Sequence, residues 1–139
     1  MTPYFGSDGS QMGVVHALPV TTFAQFVKEQ LGHPALLNVT HEQYHAMSKA
    51  DRNAAKRVPY FVPAAFSCSP AGRKIENVLH CNLIALDLDD ENPAMASVYS
   101  RTPAALAAAL TPYAYAAYTT ASSLPTRPRL RIVVSADKL

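Results

Sequence analysis

Between Cys81 and Asp90 the chain reads CNLIALDLDD, and no other stretch restricts the fold as much. The run is almost wholly apolar, too short for a buried helix, and ends in three acids. It reads as a buried central strand. Downstream, Thr102 as N-cap and Pro103 at the first helical position open a short Ala-rich helix to about Leu110, stopped by Pro112. YAYAAYTT alternates as a strand does, SSLPTRP reads as a turn, and RLRIVVS as another β-rich strand. The order strand, helix, strand, strand is the first half of a βαββαβ ferredoxin-like unit, which still requires a second helix and a fourth strand. The sequence reaches Leu139 without them, so the second half is expected to be absent or replaced by N-terminal helices.

Upstream, the first dozen residues are polar and Gly/Ser-bearing, which predicts a loosely ordered start. Thr22 with Gln25 resembles a capping box, followed by Phe23, Phe26, Val27 and Leu31 at helical spacing up to Gly32. Thr40 with Gln43 predicts a second helix over roughly 41–57, ended by Pro59 and Pro63. PYFVPAAF then reads as extended and 67–74 as loop. The expected class is α/β (α+β): a partial ferredoxin-like or RRM-like sheet with N-terminal helices. One domain is expected over 1–139, with a loose start over 1–20, a helical module over 21–75 and the β-α-β-β module over 76–139.

With 49% hydrophobic and 16% charged residues, the chain is globular rather than disordered. No apolar run approaches the roughly 20 residues that span a bilayer, and the N-terminus lacks the basic start and apolar stretch of a secretory signal. A cytoplasmic protein without membrane contact is expected, with Cys68 and Cys81 as two reduced, buried thiols. The net charge of +2 does not by itself announce a nucleic-acid binder. Its placement says more, because Arg127, Arg129 and Arg131 cluster, as do Lys49, Arg52, Lys56 and Arg57.

Asp87 and Asp89 stand two apart on the acidic strand, so their side chains leave the same face. Like charges this close repel unless compensated. A divalent cation with nucleotide phosphates completing its shell is one solution; solvated or N-capping acids are the other. In a ferredoxin-like sheet the first and third strands are antiparallel neighbours, which sets Asp87 and Asp89 across from Arg129 and Arg131. Acids facing two guanidinium forks suit a triphosphate with its Mg²⁺. They equally suit cross-strand salt bridges with no ligand at all. Thr119, Thr120, Ser122 and Ser123 lie at the adjoining hairpin, where hydroxyls either donate to phosphate or serve the turn. Tyr113 and Tyr115, sharing a face at strand spacing, and Tyr118 suit base stacking or core packing equally.

The segments PYFVPAAF, RKIENV, NLIALDLDD and YTTASSLPTRPRLRIVV, in that order, resemble the N-terminal region of phage and plasmid replication proteins. Those belong to the archaeo-eukaryotic primase and primase-polymerase superfamily. The resemblance covers residues 56–139 well and the first 55 loosely. It implies Asp87 and Asp89 as catalytic ligands of Mg²⁺ or Mn²⁺. It also implies Arg129, Arg131, Thr120, Ser122 and Ser123 as phosphate contacts, with nucleoside triphosphates and DNA as partners. The family's second motif carries a histidine where this chain has Arg129-Leu130-Arg131, and its third-motif Asp has no counterpart within the 139 residues. The catalytic set is therefore incomplete. A second reading follows, of a non-catalytic derivative that binds nucleic acid or a protein partner in replication or host defence.

A competing motif is His41-Glu42-Gln43-Tyr44-His45, a literal HExxH. Its two histidines, four apart on a helix, can hold Zn²⁺ with Glu42 as general base of a metallopeptidase. It sits in the first turn of its helix with no evident third ligand; Asp51, Glu76 and His80 are candidates without a supporting pattern. A solvated helix start is the plainer reading. The basic series Lys49, Arg52, Lys56, Arg57 likewise makes either a nucleic-acid-tracking face or a solvated one.

Overall fold

The computed structural model describes residues 4–7, 13–33, 37–88, 103–124 and 129–136. The chain divides into two compact units, Met1–Cys81 and Asn82–Leu139. The class is α+β with antiparallel sheets, as expected.

In the first unit, strands β1 (Phe5–Ser7) and β2 (Val14–Ala17) pair antiparallel. They extend to β3 (Tyr60–Val62) and β5 (Ala71–Gly72) in a four-stranded sheet of order β3-β1-β2-β5. Between the last two, β4 (Ala65–Phe66) pairs with β6 (Val78–His80) as a separate two-stranded ribbon. The residues expected to form a loose start therefore supply a central strand, and the expected helical module is built on a sheet. The reason is alternation across β1. Phe5 points to one side, into a core of Val15, Val62, Ala64, Ala65, Phe66 and Ala71. Tyr4 points to the other and stacks on Phe26 with centroids 5.1 Å apart. Polar flanks concealed two aromatics that bury a sheet on both faces.

The close packing around β1 also explains Gly6. A Cβ added there would lie 2.7 Å from the backbone oxygen of Tyr60 and 3.2 Å from Leu18 Cδ2. The first contact cannot yield without separating β1 from β3, which pair at Gly6 and Phe61. Gly6→Ala is expected to lower unfolding free energy by about 1–3 kcal/mol, read as a fall in the chemical-denaturation midpoint. An unchanged midpoint would mean that β1 and β3 do not pair in this register.

Helix α1 (Phe23–Phe26) begins as the sequence predicts, with Thr22 accepting from the Gln25 N–H, and continues as a π-type turn over Val27–Leu31 to Gly32. The expected single helix over 41–57 is two. Helix α2 (His41–Ala46) opens with a complete Thr40–Gln43 capping box, and Met47 then turns extended. Ser48 caps α3 (Lys49–Ala55), its hydroxyl accepting from the Asp51 N–H and donating to the Asp51 carboxylate. Ser48-x-x-Asp51 is itself a helix-start signature, and it interrupts a stretch whose apolar periodicity alone runs on. Tyr44 is buried under the Lys56 ammonium, 5.5 Å from its ring. The loop expected over 67–74 contains β5. Cys68 and Cys81 are exposed, not buried.

The second unit holds β7 (Leu83–Leu88), helix α4 (Pro103–Leu110), β8 (Tyr115–Thr119) and β9 (Leu130–Ser135). Its strand order is β7-β9-β8, with both pairings antiparallel. This is the first–third–second order of a split β-α-β-β half, as expected. One expectation fails. The acidic strand β7 is an edge of the described sheet and β9 is its centre, so Ile84 and Leu86 remain 37% and 46% exposed. A run of apolar residues signals burial without saying which of three strands is innermost. Helix α4 seats Leu106 against Ile132 and Val134, with Leu88, Leu110, Tyr115 and Leu130 around them. Tyr113 lies before the strand, so it does not share a strand face with Tyr115. No helix among the described residues is long and apolar enough to cross a membrane.

Candidate functional site

Strand alternation sets the chemistry of the second unit. Because Ile132 and Val134 face α4, Arg131 and Val133 lie on the opposite face, where Val133 is buried and Arg131 is half-exposed. The register puts Asp87 of β7 and Tyr118 of β8 directly opposite Arg131 on either side. Asp87, Arg131 and Tyr118 thus form one row across three strands. The guanidinium reaches Asp87 as a fork, Nε to Oδ1 at 2.6 Å and Nη2 to Oδ2 at 2.8 Å. Such a bidentate pair is stronger and better aligned than a single charged hydrogen bond. Both side chains are nonetheless partly solvated, 40% exposed for Arg131 and 51% for Asp87.

The electrostatics follow from that fork. Hydrogen bonding to Arg131 holds the Asp87 carboxyl below its usual range, against a smaller upward push from burial, with the guanidinium's charge adding to the lowering. Asp87 in turn raises Arg131 further above its already high value. Burial raises the Tyr118 phenol, while the charge of Arg131 and its hydrogen bond pull the other way. A carboxyl that titrates lower folded than unfolded adds stability that is complete above its ordinary value of 3.8 and disappears as pH falls through the lower folded value. Asp87→Asn is therefore expected to lower stability above about pH 5, where the wild type has the whole contribution, and to converge on the wild type below about pH 4, so that its acid decline is shallower. The effect stays under about 1 kcal/mol because the pair is exposed. Urea melts of both proteins between pH 2.5 and 7 check this, and parallel curves below pH 4 would disprove it.

The other predicted residues divide. Asp89 lies outside the described residues. Thr120 and Ser123 close the turn after β8, through Ser123 N–H to the Thr120 carbonyl at 2.9 Å. The Ser123 hydroxyl accepts from the Arg129 N–H at 3.0 Å, so it is occupied by turn chemistry. Ser122 is half-buried beside it, and Arg129, half-buried, precedes β9. The structure thus brings Asp87 and Arg131 together and sets the hydroxyl turn at the neighbouring strand ends. Tyr118, weighed only as a stacking or core residue, is the member that sequence reasoning missed. Its place beside Arg131 follows from the hairpin register, and the residues of that turn do not specify the register.

The donor chemistry bears on a divalent cation. Asp87 offers hard, half-exposed oxygens of the kind Mg²⁺ accepts, one or two carboxylates at a time, when other oxygens fill the rest of its shell. It does not make a resident cage: among the described residues no group of three or more His, Cys, Asp or Glu could hold a metal. The same absence applies to the HExxH segment. His41 and His45 approach each other at the start of α2, and Glu42 is exposed, with no third ligand assembled around them among the described residues.

Compared with known proteins, residues 19–138 match the family model described as the VapE N-terminal domain. No curated protein and no solved structure matches the chain. The family match carries the mobile-element replication setting that the segments over 56–139 imply, and extends it upstream to residue 19. It does not reach the archaeo-eukaryotic primase superfamily.

Proposed function

We propose, because the chain belongs to the VapE N-terminal domain family of phage and plasmid replication-associated proteins, that its second unit binds nucleoside triphosphate and DNA phosphates at the Asp87–Arg131 row. The observation that carries this reading is the bidentate fork, whose two side chains are partly solvated on the sheet face opposite α4. A guanidinium pre-aligned for one planar anion is pre-aligned for a phosphate. Asp87 and Asp89 take the cation that accompanies the triphosphate, and Arg131 and Arg129 take the phosphates. The bound cation supplies charge neutralisation for attack by a 3′-hydroxyl, the chemistry of a primase-like nucleotidyltransferase. The chain's own contribution is to bind and orient the phosphates.

A second reading, of a non-catalytic nucleic-acid- or protein-binding derivative, is favoured by the same fork. Both Asp87 oxygens are already taken by Arg131, and no motif histidine stands near it in the sequence.

A thermal-shift titration with Mn²⁺ and a nucleoside triphosphate separates the two, on the wild type and on Asp87→Ala/Asp89→Ala. A ligand that binds only the native state must raise the midpoint. A shift that needs both Mn²⁺ and nucleotide, and is lost in the double variant, supports the nucleotidyltransferase reading. A nucleotide or DNA shift indifferent to Mn²⁺ and to the double variant leaves the binding derivative.

A further inference from the structure

The start of α2 carries a pair of ring nitrogens that the second unit's chemistry does not use. His41 is the first helical residue and His45 stands one turn on, so both project from the same face. Their Nε2 atoms are 3.1 Å apart, with ring centroids at 4.4 Å and planes tilted by 60°. His45 is half-buried and set edge-on to the buried Tyr44, ring centroids 5.5 Å apart at 88°, which limits its rotation. The complete Thr40–Gln43 capping box fixes the backbone from which His41 springs.

That spacing can be compared with the geometry of a chelate. A transition metal sits about 2.0–2.1 Å from each imidazole nitrogen. Two such bonds at a right angle place the nitrogens about 2.9 Å apart, and at the tetrahedral angle about 3.4 Å. The observed 3.1 Å lies between these limits. Without a metal, one ring N–H donates to the other ring's lone pair. With one, both Nε2 atoms must be unprotonated, each ring carrying its proton on Nδ1.

We infer that His41 and His45 form a bidentate chelate for a borderline transition-metal ion such as Ni²⁺, Cu²⁺ or Zn²⁺. Imidazole nitrogens select these ions over Mg²⁺ or Ca²⁺, which prefer oxygen. The chelate differs from an HExxH peptidase centre in what completes it. Among the described residues no third His, Cys, Asp or Glu joins them in a cluster, so the inference rests on the two imidazoles alone. Glu42 is exposed at the next helical position, about 100° around the axis from His41.

Ni²⁺ alone is the probe, titrated calorimetrically into the full chain carrying Cys68→Ser and Cys81→Ser, because both thiols are exposed and would compete. One ion per chain is expected to bind. His41→Ala and His45→Gln should each weaken it about tenfold or more, the loss of one of two metal–nitrogen bonds, while far-ultraviolet circular dichroism shows the fold retained. His16→Ala and Glu42→Gln should leave the affinity unchanged. Electron paramagnetic resonance of the Cu²⁺ form should show two coordinated nitrogens. Equal Ni²⁺ affinity in wild type and in the His41/His45 double variant would overturn the inference, as would a Cu²⁺ spectrum without nitrogen coupling.

Discussion

Phe26→Ala is expected to remove about 3–5 kcal/mol of stability, the largest effect of any single truncation in the first unit. Phe26 is fully buried and joins three aromatic partners. It stacks on Tyr4 at 5.1 Å and 17°, meets Phe61 edge-on at 5.1 Å and 86°, and lies 6.1 Å from Phe23. Tyr4 leads into β1, Phe61 lies in β3, and Phe26 is the last residue of α1. Its removal therefore leaves a cavity where a helix meets two adjacent strands. The lost terms are transfer of the ring from water, its aromatic contacts, and the void that remains. Thermal melts should show a midpoint lower by roughly 10 °C or more. Phe23→Ala is the internal control. Phe23 is only half-buried and contacts the cluster through Phe26, so its truncation should remove less than half as much. Equal losses at the two positions would show that the cluster is not centred on Phe26.

The sequence signals that succeeded here were local. Thr22, Thr40 and Pro103 marked helix starts because capping is settled within four residues. The β-α-β-β order over 83–135 was readable from the alternation of period-2 and Ala-rich segments. Even the Asp87–Arg131 pairing followed from topology, since first and third strands of such a half must be neighbours. What escaped was set by contacts remote in sequence. Tyr4 and Phe5 look like part of a polar tail until Phe26, Phe61, Val62 and Phe66 arrive from up to 61 positions away to cover them. The break at Met47 escaped for a different reason. Ser48 and Asp51 carry a second cap, and hydrophobic periodicity does not register a cap that falls inside a continuing pattern. At the site, the alternatives left open for Asp87 were a cation or a salt bridge. The structure makes the salt bridge, with both Asp87 oxygens accepting from Arg131.

That arrangement leads to the second large effect, which concerns the sign of a change rather than its size. In the wild type, a triphosphate must compete with Asp87 for the Arg131 fork. Arg131→Met keeps the length of the side chain and removes every donor. It should weaken triphosphate binding by about 10- to 100-fold, the 1.5–3 kcal/mol that hydrogen bonds to charged groups are worth. Stability should change little, because the Asp87 left behind is half-exposed and water can solvate it. Asp87→Asn acts in two directions at once. Without Mn²⁺ it releases the guanidinium and should tighten triphosphate binding. With Mn²⁺ it removes a hard ligand of the cation and should loosen binding. Fluorescence-anisotropy titrations of a labelled triphosphate, with and without Mn²⁺, read both signs. An Asp87→Asn variant that binds more tightly under both conditions would assign Asp87 to restraining Arg131 and exclude it as a cation ligand. Tighter binding without the metal and weaker binding with it would require that one carboxylate serve both roles, restraining the arginine and, once Mn²⁺ is added, holding the cation.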